Sequence, residues 1–360
     1  MRENQHRPST ARGRTRIVVD VSGHGFGHAG QLAPILALLL DRRPGLDFVV
    51  RSALEPDALA SVLHVPFTTH EAPPDRGLSM HDPVTVDREA SRAWYDALER
   101  QFDRLVEEDA ARLRSLAPDL LVSNIGFVGL AAAARVGVPA VAVCSLTWPD
   151  IVGAYGVASA AMLERMRAAH RAARLTVQLE PHLAMDWLEP KCSVGPVART
   201  GRARRTELLA ALGCPPTTRI VLVAFGGIAM PRLLVEPPPI PGVLWLGDRV
   251  RGPGLATTER IGLPFPDLLA SVDLLITKTG YGLFAEAAAA GTPLLYLERP
   301  DWPEAPFLER WIRERGIGAP LPRDPEALAA ALQAMLARPR PAPVAPTGIA
   351  EAVALLERFL

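Results

Sequence analysis

Asp273-Leu-Leu-Ile-Thr-Lys-Thr-Gly-Tyr-Gly-Leu-Phe-Ala-Glu-Ala-Ala-Ala-Ala-Gly-Thr-Pro-Leu-Leu-Tyr296 reads as strand, glycine turn, helix, glycine stop and strand. Residues 274–277 form a short apolar run of the kind that fills a buried parallel strand. Gly280 and Gly282 open the turn, and the alanine-rich residues 284–290 favour a helix. Gly291 ends that helix and Pro293 prevents its continuation. The turn sets backbone N–H groups at a helix N-terminus beside Lys278, which makes an anion site. Glu286 follows about one turn into the helix, within reach of a sugar hydroxyl. Phosphate donors beside a diol acceptor suit a nucleotide better than a bare phosphate.

The surrounding composition narrows the function classes. A chain of 360 residues is long enough for two domains. Acidic and basic residues balance at 39 each, so no large basic field argues for nucleic acid. Only two of the basic residues are lysines, Lys191 and Lys278. A GC-rich genome accounts for the arginine excess, and against it a lysine inside the glycine turn stands out. Cys144, Cys192 and Cys214 are scattered without metal-ligand spacing, as expected of thiols in a reduced cytoplasm. The Arg-rich tail has no apolar core and does not read as a secretory signal. The longest apolar stretch, residues 128–146, is interrupted by Arg135, Gly137 and Pro139, whereas a membrane span needs about 20 apolar residues.

Strands and helices alternate outward from the opening stretch in both directions. Residues 16–21 form a strand that ends in the glycine loop Gly23-His-Gly-Phe-Gly-His28, with a helix from about residue 30 to 40. A second strand covers 46–52 and a long helix 88–116. A strand over 119–123 meets the loop Asn124-Ile-Gly-Phe127, a helix over 129–136 and a strand over 138–144. The basic segment 191–205 suits a linker. The pattern then restarts with a helix at 206–212 and a strand at 219–224 ending in Phe225-Gly-Gly227. A proline-rich loop covers 231–241, with strands at 243–246 and 274–277 and a helix at 325–336. The fold expected is α/β, two Rossmann-like parallel-sheet domains facing a central cleft. The boundaries expected are a disordered tail at 1–15, a first domain at 16–195 and a second at 196–346. A C-terminal helix at 347–360 has the option of packing back on the first domain. Ligands belong at the carboxyl ends of the strands, where the three glycine loops sit.

These motifs in this order resemble the two-domain GT-B glycosyltransferases that use nucleotide sugars. They are nearest to the glycosyltransferase-like amino-terminal region of plant arabinokinases, and similar to the UDP-glucuronosyl and plant glycosyltransferases and to the peptidoglycan GlcNAc transferase. The resemblance spans roughly residues 16–313. It rests on the first glycine loop, on Phe225-Gly-Gly227, and on Lys278-Thr-Gly-Tyr-Gly-Leu-Phe-Ala-Glu286 as donor signature. Pro300-Asp-Trp-Pro-Glu-Ala-Pro-Phe-Leu308 resembles the donor-sugar loop that succeeds it in the family. No small-molecule kinase domain reads out of the residues beyond 313, so arabinokinase activity is not implied. The resemblance implies a cytoplasmic enzyme that moves a sugar from a nucleotide sugar, with UDP the first nucleotide to expect, to a hydroxyl acceptor with inversion. The donor is then a co-substrate, and neither a cofactor nor a metal is implied. A non-catalytic nucleotide- or sugar-binding module and a nucleotide-sugar epimerase share the architecture.

By resemblance, His28 is the base that takes the acceptor proton, and His24, four residues earlier, is a second candidate. The alternative is a histidine that only hydrogen-bonds backbone. Gly25, Gly27, Gly226 and Gly227 belong to the loops that approach the donor. Lys278, Thr279, Gly280, Tyr281 and Gly282 surround its diphosphate, Glu286 its ribose, and Asp301 and Glu304 its sugar. The alternatives are a solvated helix glutamate for Glu286, an exposed cation for Lys278 and a charged surface loop for Asp301 and Glu304. Asn124 and Gly126 are expected to line the cleft, and Trp148 to stack on an acceptor or to fill the core. The Arg-rich helix near residues 164–174 reads as a solvated face, with peripheral contact to acidic lipid headgroups as the alternative. One departure matters: the first helical turn holds Leu283, Phe284 and Ala285 where the family carries Ser or Thr. Phosphate binding then rests on backbone N–H groups, Lys278 and Thr279.

Overall fold

The structure, a computed structural model, describes residues 14–74, 76–82, 84–226, 237–238, 240–248, 255–258 and 261–360. Most of the expected tail, much of the proline-rich loop and Gly227 lie outside the described residues.

The first half runs β1 (Thr15–Val21), α1 (Gly27–Arg42), β2 (Leu46–Ser52), α2 (Pro56–Leu63), β3 (Thr68–His70), α3 (Arg88–Leu116), β4 (Leu120–Asn124), α4 (Phe127–Val136), β5 (Ala140–Cys144), α5 (Trp148–Tyr155), α6 (Ala160–Arg171), β6 (Leu175–Leu179) and β7 (Lys191–Val194). The second runs α7 (Arg205–Leu212), β8 (Arg219–Ala224), β9 (Val243–Asp248), β10 (Leu255–Thr257), α8 (Phe265–Ser271), β11 (Leu274–Lys278), α9 (Tyr281–Ala290), β12 (Leu294–Leu297), α10 (Ala305–Glu314), β13 (Gly318–Pro320), α11 (Pro325–Ala337) and α12 (Gly348–Leu356).

Each half builds one parallel sheet. The strand orders are β3-β2-β1-β4-β5-β6-β7 and β10-β9-β8-β11-β12-β13. Strands such as Val141 to Cys144 and Leu274 to Ile276 are buried on both faces, which explains their unbroken apolar runs. In both sheets the order reverses beside the first strand, between β1 and β4 and between β8 and β11. Such switch points open a crevice at the strand carboxyl ends. The register pairs Val21 with Asn124, so the loop after β1 and the end of β4 meet there. Gly25 (φ +79°) and Gly226 (φ +78°) turn their loops through left-handed backbone that other residues rarely adopt.

Several sequence expectations shift. α1 begins at Gly27 rather than near residue 30, so His28 is helical. The segment read as a linker opens with β7, an edge strand paired to β6, and the connection between sheets begins after Val194. α12 crosses back to pack on α1, β6 and β7, and Gly348 donates its N–H to Pro196 O at 3.2 Å. The arginines of α6 are committed to neighbours: Arg165 pairs with Asp103, and Arg167 and Arg171 lie over the Trp187 ring. No helix among the described residues is long and apolar enough to cross a membrane.

Candidate active site

Between the halves lies a cleft enclosing a cavity of about 380 Å³. Both switch points open into it. From the first half come His24, Gly25, Gly27, His28, Gln31 and Ser145; from the second come Gly226, Lys278, Gly280, Tyr281, Gly282 and Leu283. The segment joining the sheets adds Arg199, α9 adds Glu286, and the loop after β12 adds Arg299, Trp302 and Glu304.

α1 and α9 pack against each other, and the first turn of each lines the cavity. Neither has a side-chain cap at its N-terminus. The first N–H groups of a helix have no intrahelical partner and carry the positive end of its dipole. Lys278, at the end of β11, adds a cation. Burial lowers its ammonium to about 7, as does Arg299 nearby, while Glu304 opposes the shift. Arg299 is 95% buried, stacks 4.2 Å from the Trp302 ring centroid, and leaves Nε and Nη2 without a hydrogen bond to any described residue. Burial lowers Arg299 as well, and Glu304 opposes the shift in both cations, so the wall holds N–H donors and two cationic side chains with one buried carboxyl among them.

Glu286 is buried rather than solvated, and accepts from Arg199 Nε at 2.6 Å. Burial raises its carboxyl and Arg199 opposes the rise. Glu304 is also buried and lines the cleft, so the alternative of a charged surface loop does not hold for it. It accepts from Ser145 Oγ at 2.7 Å and from Trp302 Nε1 at 3.3 Å.

His28 occupies the second position of α1, where the helix start aims it at the end of β4. Its Nδ1 lies 2.7 Å from Asn124 Oδ1, which leaves Nε2 for the cleft that the ring lines. Burial lowers its imidazole to about 4, with the Asn124 bond opposing. His24 falls to about 3, first through burial and then through His28, Lys278 and Arg299. Both rings pack on Trp148, at 5.8 Å and 5.3 Å between centroids. At neutral pH both histidines are therefore neutral, and can accept a proton but not donate charge.

Three expectations are corrected, and Trp148 takes the core reading. Thr279 does not reach the cleft: its hydroxyl is buried against Leu297 O (3.1 Å) and Glu309 Oε1 (3.0 Å), because side-chain direction alternates past Lys278. Asp301 is exposed outside the cleft lining and accepts from Tyr155 Oη at 2.9 Å. Asn124 and Gly126 do not line the cleft; Asn124 stands one layer behind His28. Trp148 fills the core, as the second of its two readings had it: it is fully buried beneath the histidines and offers no face to a ligand. Tyr281 lines the cleft, but its hydroxyl bridges Val197 N (3.0 Å) and Glu180 O (3.1 Å). Gly227 lies outside the described residues.

The sequence reading missed Gln31, Ser145, Arg199 and Arg299. Gln31 carried a signal, a polar residue three positions after His28 on the same face of an apolar helix. Arg299 sits one residue before the stretch read as the sugar loop. Arg199 carried none, because only the path between the sheets brings it to Glu286.

No family model matches the chain. It is 26% identical over 309 residues to L-arabinokinase of Arabidopsis thaliana, covering 81% of this chain and 29% of that protein. The chain thus spans less than a third of that relative's length. Among solved structures, the calicheamicin glycosyltransferase CalG4 superposes with a TM-score of 0.60 at 18% identity, covering 96% of this chain and 98% of its own. A candidate UDP-N-acetylglucosamine 2-epimerase from Listeria monocytogenes gives 0.58 at 14% identity, with 96% of each chain covered. The architecture is the GT-B fold, two parallel-sheet α/β halves facing a cleft.

Proposed function

We propose that the chain is a metal-independent glycosyltransferase that moves a sugar from a nucleotide sugar, UDP-linked in the first instance, to a hydroxyl acceptor with inversion. The observation that carries the reading is the opposition, across one cleft, of a neutral His28 and an anion-binding wall made by the α9 N-terminus, Lys278 and Arg299. The diphosphate lies on residues 280–283, and Glu286 Oε2, left over by Arg199, accepts from the ribose diol. Glu304 and Arg299 bound the space for the donor sugar.

In this scheme His28 Nε2 takes the proton of the acceptor hydroxyl. The acceptor oxygen bonds to the anomeric carbon as the bond from that carbon to the phosphate oxygen breaks. The electron pair leaves with the nucleoside diphosphate, whose charge is held by the helix N–H groups and Lys278. In-line attack opposite the leaving group inverts the centre. Leu283 in the first turn of α9 supplies no hydroxyl, and the two cations offset that loss. His28 in helical register and facing the cleft favours catalysis over a passive binding module. An epimerase needs several acidic groups poised in the cleft, and of the two that line it among the described residues, Glu304 has both oxygens engaged by Ser145 and Trp302. The test is release of nucleoside diphosphate from a panel of nucleotide sugars, with and without a mixture of hydroxyl acceptors. Acceptor-stimulated release lost in His28→Ala supports the reading. Binding without release for every pair favours the non-catalytic module.

A further inference from the structure

A single hydrogen-bonded chain joins His28, in the first half, to Glu304, in the second. His28 Nδ1 meets Asn124 Oδ1 at 2.7 Å. Asn124 Nδ2 donates to Gln31 Oε1 at 2.8 Å. Gln31 Nε2 donates to Ser145 Oγ at 3.0 Å. Ser145 Oγ donates to Glu304 Oε1 at 2.7 Å. All five residues are buried, and the chain crosses the cleft at its last step.

We propose that Glu304 sets the tautomer of His28 through Ser145, Gln31 and Asn124, so that the base is armed only when the two halves are together. Burial raises the Glu304 carboxyl, while the Ser145 and Trp302 hydrogen bonds, Arg299 and Lys278 oppose the rise, and with Glu304 ionised the direction of the chain is fixed at its acidic end. An ionised carboxylate accepts and cannot donate. Ser145 therefore spends its one proton on Glu304 and accepts from Gln31. Gln31 must present Nε2 to Ser145 and Oε1 to Asn124. Asn124 must then present Oδ1 to His28, so the neutral ring carries its proton on Nδ1. Nε2 is left bare toward the cleft. The reverse order would need Glu304 to give a proton to Ser145. Trp302 Nε1, a donor only, holds the other oxygen of Glu304 at 3.3 Å and fixes the carboxylate on the chain.

The protonated Nδ1 form is the less favoured tautomer of free histidine, so its sole occupancy requires such a cause. No proton travels along the chain: when Nε2 takes one, Nδ1–H still donates to Asn124. Asn124, Gln31, Ser145 and Glu304 are positioning residues. Their value to catalysis rests on His28 being the base, as proposed above, but the tautomer itself does not.

The experiment is nitrogen-detected NMR of protein labelled with ¹⁵N-histidine, the His28 signals being assigned with His28→Gln. The wild type is expected to show His28 with Nδ1 protonated and Nε2 bare. Glu304→Gln, whose amide donates as well as accepts, removes the fixed end; Ser145→Ala cuts the chain. In both, a second population with the proton on Nε2 is expected, while the His170 and His182 signals report an intact fold. A wild-type His28 protonated on Nε2 overturns the proposal even if neither variant folds. So does a His28 that keeps the proton wholly on Nδ1 in both folded variants. Absence of transferase activity in the same samples would sink the proposed reaction and leave the tautomer result standing.

Discussion

Arg199 Nε lies 2.6 Å from Glu286 Oε1, tying the segment that joins the two sheets to the helix at the centre of the cleft. The pair is largely buried, with 24% of the Arg199 side chain and 6% of the Glu286 side chain exposed. A carboxylate in such a place would otherwise drift toward its neutral form. Burial raises the carboxyl and Arg199 opposes the rise, while occupying one oxygen and leaving the other for the diol of the proposed donor.

His28→Ala is expected to lower the rate of transfer by about 10²–10⁴-fold, the usual contribution of a positioned general base. Nucleotide affinity should stay within about twofold, since His28 faces the diphosphate wall without forming it. Steady-state rates and calorimetry on the same preparation check both. Because burial lowers the imidazole to about 4 in the free protein, the acid limb of the wild-type rate profile should lie below the ordinary histidine value of 6.5. An acid limb at 6.5 would remove His28 from the role.

Nucleotide binding is expected to take up protons at pH 8. Lys278 sits near 7 in the free protein and so is mostly neutral at that pH. A bound diphosphate favours the ammonium and raises it. Calorimetry in buffers of differing ionisation enthalpy should show uptake of part of a proton, and Lys278→Met should abolish it. Affinity should fall as pH rises above 7.

Acid should weaken the fold in part through His170. This ring is buried against Trp187, makes no hydrogen bond to any described residue, and burial lowers it to about 4. The unfolded chain takes up that proton near 6.5. Between those values the unfolded state binds more protons, so stability is fully present above 6.5 and is lost as pH falls toward 4. At pH 5 the loss from this residue is about 2 kcal/mol. Denaturation of His170→Phe at pH 5 and 7.5 should show the variant gaining on the wild type by that amount only at the lower pH.

Arg51 joins β1, β2 and α3 from inside the first half. It donates to both oxygens of Asp20 at 2.6 and 2.7 Å and to Asp109 Oδ1 at 2.7 Å, with its own side chain wholly buried. Arg51→Met leaves two carboxylates buried without their cation and should cost about 3–5 kcal/mol in chemical denaturation. Adding Asp20→Asn and Asp109→Asn to that variant should recover part of the loss.

The parallel sheets were legible in the sequence because β5, β8 and β11 are buried on both faces and therefore read as apolar runs, with glycine turns near their ends. Short edge strands escaped: Thr68–His70 is largely exposed and polar, and Lys191–Val194 has one buried residue. Their pairing comes from the neighbouring strand rather than from their own pattern. In the site, Lys278 and Glu286 could be found because the glycine turn fixes their spacing along one chain segment. Arg199 and the chain from Gln31 to Glu304 depend on contacts between distant segments, 87 residues apart in one case and 159 in another. No local periodicity encodes such contacts. Thr279 was misplaced because spacing alone does not say which way a residue after a strand turns.

The most direct measurement is calorimetric titration of the wild type and of Glu286→Ala with UDP, ADP, GDP and dTDP, without added metal. The wild type is expected to bind one nucleoside diphosphate selectively, and Glu286→Ala to weaken that binding by tenfold or more, about 1.4 kcal/mol. No binding by any of the four, or equal binding by the variant, would contradict a donor site at the head of α9.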